Sequence, residues 1–524
     1  MQKTQLSVLV AAALVAMASA AQAAQGPSSS QDAYVQGVAP GVQFTSVLTT
    51  GDSVGGYRMA GIPDGLGAYD NGNGTFTVLM NHELGTTVGV ARDHGAKGGF
   101  VSEWVINKNT LQVVSGGDLI KNVYYDTGAQ VTGASNLSFN RLCSADLAKP
   151  SAFFNASSGM GSTARIFMNG EESGNRGWAL ANVASGADKG NSYVLTKFQR
   201  ADGTGGWENL VANATTGNLT VVAGTNDGGT GTMQNRVNVY VGNKTNTGSE
   251  VDKAGLTNGS MGFINVTGVA SEINNATTRT TGIANGAAFT VDANSGTAFS
   301  RPEDAAWSND GQTLYFVTTD QLDKTNLAGQ TQQGGTRLWA AHFNANFTGG
   351  TIEALVDSTT FAGGLNNSKP NMFDNITVNA DGTITLQEDP GNNETNAKIW
   401  QYNPANGEMK MLAKFKPDLF GDVVNGVYTA GSHTKDEETS GVIDITDILN
   451  RNDGQKYSLL VVQDHQTAAN LKTLGFMDAG ADATAMVEGG QLLVMSAPVP
   501  EADTYAMMLA GLGLVGFMAR RRKA

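Results

Sequence analysis

The chain has 524 residues, a formal net charge of −14, 67 glycines, 11 prolines and one cysteine. An acidic balance of that size argues against nucleic acid as a partner and suits a protein that gathers cations. A single cysteine excludes a disulfide-built scaffold, so stability must come from a buried core.

Residues 1–23 read as a secretory signal peptide, with Lys3, an apolar stretch from Leu6 to Met17 and a small-residue cleavage site at Ala21-Gln22-Ala23. Such a segment is too short for a permanent membrane span. From about residue 30 to 496, helical periodicity is scarce. Short runs of Val, Ile, Leu, Phe, Tyr and Thr bounded by Gly, Asn and Asp read as strands. Hairpin turns are written into Asn71-Gly72-Asn73-Gly74, Asn309-Asp310-Gly311 and Asp381-Gly382. No amphipathic helices alternate with these strands, which excludes a parallel α/β fold.

One pattern recurs six times along this region: an apolar strand that closes on a carboxylate, with a ligand-type residue upstream. The closing residues are Glu83, Glu172, Asp227, Asp320, Asp389 and Asp464; their partners are Asp64, Cys143, Glu208, Glu303, Asp374 and Glu438. If each pair brackets a hairpin, both members lie at one end of it. Repeats of this kind predict an all-β fold, a six-bladed β-propeller with insertions. Residues 245–295, rich in Thr, Asn, Gly and Ala, are the expected insertion. The paired residues would then converge on one mouth of a central channel.

Carboxylates gathered there repel one another unless a cation neutralises them, since burying them alone is costly. Calcium, with six to eight oxygen ligands in adaptable geometry, is the natural counter-ion. A thiolate at Cys143 points further, toward a transition metal, although a lone cysteine also serves as a small buried hydrophobe. Carboxylates at strand ends also form turns or guard edges. His82 and His465 read as metal ligands, general acids or hydrogen-bonded bystanders.

The motifs Phe299-Ser300-Arg301-Pro302-Glu303-Asp304 followed by Thr313 to Thr319, Asn81-His82-Glu83-Leu84, Cys143 with Gly170-Glu171-Glu172, Trp207-Glu208-Asn209 and Glu388-Asp389-Pro390-Gly391 stand in one order along the chain. In them the chain resembles the PhoX-type alkaline phosphatases and their DUF839 relatives, over Asp64 to His465. The resemblance implies a six-bladed propeller that hydrolyses phosphomonoesters at a centre of ferric iron (Fe3+) and calcium (Ca2+). It implies Cys143, Glu208 and Glu303 as iron ligands, with Glu83, Glu171, Glu172, Asp304, Glu388 and Asp389 serving calcium or bridging to it. Arg301 leads the candidates for a catalytic clamp on phosphoryl oxygens, followed by Arg141 and Arg165; Arg301 could equally form a salt bridge to Glu303. The chain departs from the family after Cys143, where Ser144-Ala145-Asp146-Leu147 replaces a glycine-rich stretch. Glu438 to Asp444 and Asp464-His465 look closer to a divergent branch.

At the C-terminus, Val499-Pro500-Glu501, an apolar run from Tyr505 to Ala519 and Arg520-Arg521-Arg522-Lys523 resemble a PEP-CTERM sorting signal over 498–524. That resemblance implies processing by an exosortase-type enzyme, transient membrane anchoring, and delivery to the periplasm, outer surface or extracellular matrix. A monomer is expected. Two other functions stay open: a non-catalytic, calcium-stabilised propeller attached to exopolysaccharide, and another propeller hydrolase of the lactonase or phytase kind. Cys143 favours the phosphatase over the latter, because calcium-only enzymes have no use for a thiolate.

Overall fold

The computed structural model describes residues 23–499, apart from 173–175, 200–204, 228–232, 276–277, 320–323, 326–330, 333–335, 361–368 and 392. All but the last residue of the expected signal peptide, all but the first residues of the sorting segment, and Asp320 therefore lie outside the described residues.

The alternating apolar runs form short antiparallel sheets built by up-and-down connection. Pro63–Asp70, Thr75–His82, Phe100–Asn107 and Val113–Asp118 pair in sequence order. Ile166–Gly170, Ala179–Val183 and Asn191–Val194 repeat the arrangement, with Asn122–Tyr125 added parallel to the last strand. The strands from Asn209–Ala212 to Ser260–Val266 and those from Pro302–Trp307 to Gly349–Asp357 follow. Ala287–Asp292 joins these two groups into a nine-stranded sheet by pairing with an outer strand of each. Phe373–Val378 to Glu408–Phe415 form the next sheet, and Glu437–Asp444, Gln455–Thr467 and Glu488–Pro498 the last. Gln43–Thr49 completes that last sheet from the beginning of the chain.

The stretch 245–295, expected as an insertion, is only partly one. It supplies Ser260–Val266, the outer strand against Arg236–Asn243, and the linking strand Ala287–Asp292. Its Thr- and Asn-rich composition hid two strands because their outer positions need few apolar side chains.

Pro63–Asp70, Asn209–Ala212, Pro302–Trp307, Phe373–Val378 and Glu437–Asp444 lie innermost in their sheets, and the segment 142–146, bridged to Glu171 and Met168 through Leu142 and Asp146, takes that place in the second. Glu437–Asp444 packs beside Pro63–Asp70, so the last sheet returns to the first and the inner strands surround a channel. Gly441 marks the closest approach there: φ is +42°, and a Cβ would come within 2.8 Å of the Asp64 carbonyl oxygen. A glycine is required at that contact.

Apolar side chains fill the wedges between neighbouring sheets. Val317, Leu338, Phe373, Leu386 and Trp400 pack in one such wedge. Trp104 and Trp339 are fully buried, and each indole N–H donates to a buried hydroxyl, Ser102 at 3.0 Å and Thr318 at 3.1 Å. Among the described residues no helix is long and apolar enough to cross a membrane.

Candidate metal centre

One backbone device recurs at the head of the innermost segments. Ile62, Arg141, Arg301 and Met372 have left-handed φ values of +49°, +58°, +53° and +42°. Each stands two residues before Asp64, Cys143, Glu303 and Asp374; Gly206, at +103°, stands two before Glu208. For non-glycine residues such conformations cost on the order of 1–3 kcal/mol each and persist only where surrounding contacts enforce them. The enforcing contact is visible. The carbonyls of Ile62, Arg141 and Met372 accept the N–H of Glu83, Glu172 and Asp389, each at 3.0 Å. In these three pairs the upstream ligand and the closing carboxylate thus form a physical unit, joined by one hydrogen bond between neighbouring segments; at Arg301 the same carbonyl accepts the Thr319 N–H at 3.0 Å.

A β-bulge follows. Asp64-Gly65, Glu303-Asp304 and Asp374-Asn375 each place two residues opposite one on the neighbouring strand. Bulges re-aim side chains, and here they turn the first residue of each pair toward the end of the channel. Asp64, Glu83 and Cys143 bring ligand atoms within 4.8 Å of one another; Glu208, Glu303 and Asp374 do the same, and all six are buried.

Neighbouring groups tie these clusters together. Cys143 Sγ lies 3.5 Å from Glu172 Oε2, and Arg141 Nε donates to that oxygen at 2.6 Å while its Nη2 pairs with Glu83. Ser144 donates to Glu208 through both N–H (3.2 Å) and Oγ (2.7 Å). Arg301 grips Asp227 with Nε (3.1 Å) and Nη2 (2.8 Å) and reaches Glu303 at 3.1 Å. The Gln463 amide lies 3.2 Å from both Glu83 and Glu438 and 3.5 Å from Asp64. Its carbonyl oxygen is buried without a protein partner.

Carboxylates outnumber cations at this end. Asp64, Glu83, Glu172, Glu208, Asp227, Glu303, Asp374, Asp389 and Glu438 face Arg141, Arg301 and His465 among the described residues. Burial, followed by mutual repulsion, pushes Asp64, Glu208, Glu303 and Asp374 well above the usual carboxylate range. Burial and the Glu83 charge raise the Cys143 thiol in the same way. Burial alone would push His465 down, but Glu438 and Glu488 hold its proton and raise it well above the ordinary histidine value.

Not every candidate residue joins the cluster. Glu171 is occupied by Arg176 and by the N–H groups of Asn140 and Trp178, both at 3.1 Å. Glu388 is fully buried against Lys398 Nζ (2.9 Å), the Trp400 indole (2.7 Å) and the Asn371 N–H (2.8 Å). Both carboxylates spend their lone pairs inside the sheets. Asp304 accepts from Asn209 and from the N–H of Ala305 (2.6 Å) and Ile376 (3.0 Å), tying neighbouring inner strands together. Arg165 precedes Ile166–Gly170 at the other end of the channel. There it lines a cavity of about 800 Å³ and donates to the carbonyls of Leu147 (3.4 Å) and Ala148 (3.1 Å).

His82 is a buried bystander. Nδ1 donates to the Gly61 carbonyl at 3.0 Å, Nε2 meets Ser102 Oγ at 2.9 Å, and the ring stacks on Phe100. Asp464 turns into its sheet and pairs with His433 at 2.9 Å. The His465 N–H instead makes the cross-hairpin bond, to the Asp436 carbonyl at 3.2 Å, so His465 holds the closing position of the last pair.

Asp64, Asp374 and Glu438 belonged to the recurring pattern yet were absent from the ligand set that the family resemblance implied. Ser144 and Gln463 carried no signal of their own. The division is testable by metal content. Asp374→Asn is expected to lower bound metal severalfold, whereas Glu388→Gln leaves it unchanged and instead destabilises the fold, because Lys398 loses its charged partner inside the sheet. Elemental analysis alongside thermal melting separates the two.

The fold and this end of the channel define a mostly β, propeller-like protein with an acidic, thiol-bearing mouth. Residues 498–523 match the PEP-CTERM protein-sorting motif. The fold is similar to that of Pseudomonas fluorescens PhoX, solved in complex with vanadate, a transition state analogue: TM-score 0.52, 10% identity, over 91% of this chain and 97% of that one. Kuenenia stuttgartiensis hydrazine synthase (TM-score 0.31, 10% identity, 79% of this chain and 87% of that one) superposes far more loosely. So does the α-L-arabinofuranosidase PaAbf62A from Podospora anserina (TM-score 0.33, 10% identity, 86% and 95%). No curated protein matches the chain.

Proposed function

We propose that the chain is an exported, metal-dependent phosphatase that hydrolyses phosphomonoesters at one mouth of a six-bladed propeller spanning residues 30–496. In this reading residues 1–23 are the signal peptide and 498–524 the sorting segment cut by an exosortase-type enzyme. The observation that carries it is the surplus of buried carboxylates around one thiol, flanked by two arginines. Such a set is unfavourable as bare anions and favourable around cations. The likeness of the fold to PhoX, which was captured with vanadate, a transition state analogue, supports the same reading.

The donors fit the expected metals. Cys143 with Asp64 and Glu83 offers the thiolate and oxygen mixture that iron accepts, and Glu208, Glu303 and Asp374 offer the all-oxygen set that calcium accepts. This grouping differs from the family expectation that Glu208 and Glu303 share a metal with Cys143. Metals held there would supply Lewis acidity toward phosphoryl oxygens and lower the pKa of an attacking water.

The side chains do the rest. Arg301 and Arg141 stay charged at any working pH, because Glu303 and Asp227 hold the first and Glu83 the second. Asp227 fixes the Arg301 plane and Glu172 with Glu83 the Arg141 plane, each through the Nε–Nη2 edge, so what remains of each guanidinium meets an anion already oriented. His465 keeps a proton between Glu438 and Glu488 and adds a third positive group at the rim.

The test is to purify the mature protein without chelators, measure iron and calcium, and assay p-nitrophenyl phosphate with and without EGTA. Near-stoichiometric iron, with both iron and turnover lost in Cys143→Ala, is the expected result. Calcium alone with no turnover would overturn it and favour a non-catalytic, calcium-stabilised propeller bound to exopolysaccharide.

A further inference from the structure

The last sheet sets the direction in which the sorting segment leaves the body. Asp464 pairs with Gly489 and Glu437 with Asp464 at the acidic end, whereas Gln455 pairs with Pro498 and Asp444 with Ser458 at the opposite end. Glu488–Pro498 therefore runs away from the candidate metal centre along the whole height of the sheet. Gly489 to Pro498 spans about 30 Å at the ~3.3 Å rise of a strand. The sorting motif begins at Pro498, on the face opposite the acidic mouth. The start of the described chain lies on the same half, since Ala23 pairs with Phe44 and Phe44 with Met495.

From Pro498 to the apolar run at Tyr505 the chain reaches at most about 25 Å even when fully extended. That leash is shorter than the sheet is tall. A body tethered by it cannot turn its acidic mouth onto the bilayer, because the leash would first have to climb the outside of the last sheet.

We propose that, while the sorting segment sits in a membrane, the protein stands with its opposite face toward the lipid and its acidic mouth directed away. The partner of that face is a lipid bilayer, met through the tether alone. Processing at Pro500-Glu501 then takes place a full sheet height from the centre and leaves the mouth untouched. This orientation holds whatever the centre does, so it stands or falls separately from the phosphatase reading.

The experiment uses the full chain with its sorting segment in phosphatidylethanolamine and phosphatidylglycerol vesicles carrying acceptor-labelled lipid. Donor dye is placed at Ala405→Cys, in the exposed turn after Lys398–Asn403, or at Ala469→Cys, exposed on the short helix beyond Gln455–Thr467 at the acidic end. Cys143 is buried and takes no label. Energy transfer from position 405 should exceed that from position 469 severalfold. Inserting about 20 Gly/Ser residues after Val499, a freely coiling spacer, should bring the ratio toward one. Equal or reversed transfer in the unmodified chain overturns the orientation. A ratio that survives the longer leash overturns the leash as its cause, and failure of the full chain to join vesicles removes the anchor on which it rests.

Discussion

Stripped of metal, the protein is expected to lose stability steadily as pH rises from about 4 through 7, and to regain it when metal is restored. A carboxyl raised by burial binds more protons in the folded than in the unfolded chain between its two pKa values, so the folded state loses ground as pH climbs through that window. Asp304, pushed up to about 7 from 3.8, contributes on the order of 4 kcal/mol across it. Asp64, Glu208, Glu303 and Asp374 shift in the same direction. Exposed pairs such as Lys108 with Asp70 act in the opposite sense, but solvent screening keeps them weak. Bound cations favour the ionised carboxylates and so reverse the trend for the clustered groups. Calorimetric melting from pH 5 to 8, with and without EGTA and an iron chelator, reads this directly. A chelated protein as stable at pH 8 as at pH 5.5 would show that the acidic cluster is already neutralised by the protein.

Replacing Arg301 is expected to cost more activity than any other change that spares the metal ligands. Arg301→Met should lower kcat/KM on p-nitrophenyl phosphate by about 100- to 1,000-fold, the range seen when an oriented charge-stabilising donor is removed. The geometry explains the size. Asp227 holds the Nε–Nη2 edge of the guanidinium at 2.8–3.1 Å, and Glu303 sits 3.1 Å away, so the guanidinium plane is fixed before any anion arrives. Arg301→Lys keeps the charge and loses the fork, and should recover only part of the loss. Iron and calcium content should stay near the wild-type level in both variants. Wild-type kcat/KM in Arg301→Met would remove this residue from the site and leave Arg141 as the clamp.

The recurring pair of ligand-type residue and closing carboxylate could be read from residue order alone. It placed Asp64, Cys143, Glu208, Glu303 and Asp374 at corresponding positions; Asp64, Glu208, Glu303 and Asp374 stand at the head of inner strands, and Cys143 in the segment bridged to Met168 and Glu171. Family likeness added Glu171 and Glu388, which stand beside the right residues in sequence but point into the sheets. Adjacent residues on a strand face opposite ways, so one step along the chain separates a channel carboxylate from one locked to Arg176 or Lys398. The same one-step ambiguity exchanged Asp464 for His465. Arg165 illustrates a second limit: it lies near Cys143 in sequence, yet the intervening chain carries it to the far end of the channel.

By itself the sequence determined the mostly β character, the hairpin turns, the repeat and the acidity, because each depends on local composition and period. Tertiary structure alone decided which carboxylates meet. Bulges at Asp64, Glu303 and Asp374 and left-handed backbone at Ile62, Arg141, Arg301 and Met372 are enforced by pairing with a neighbouring segment of the same sheet, and return of the last sheet to the first by contacts between residues hundreds of positions apart. Gly441 against Asp64 is one such contact. The direction in which the sorting segment leaves the body is another property of this kind, since it follows from strand pairing and cannot be read from the motif.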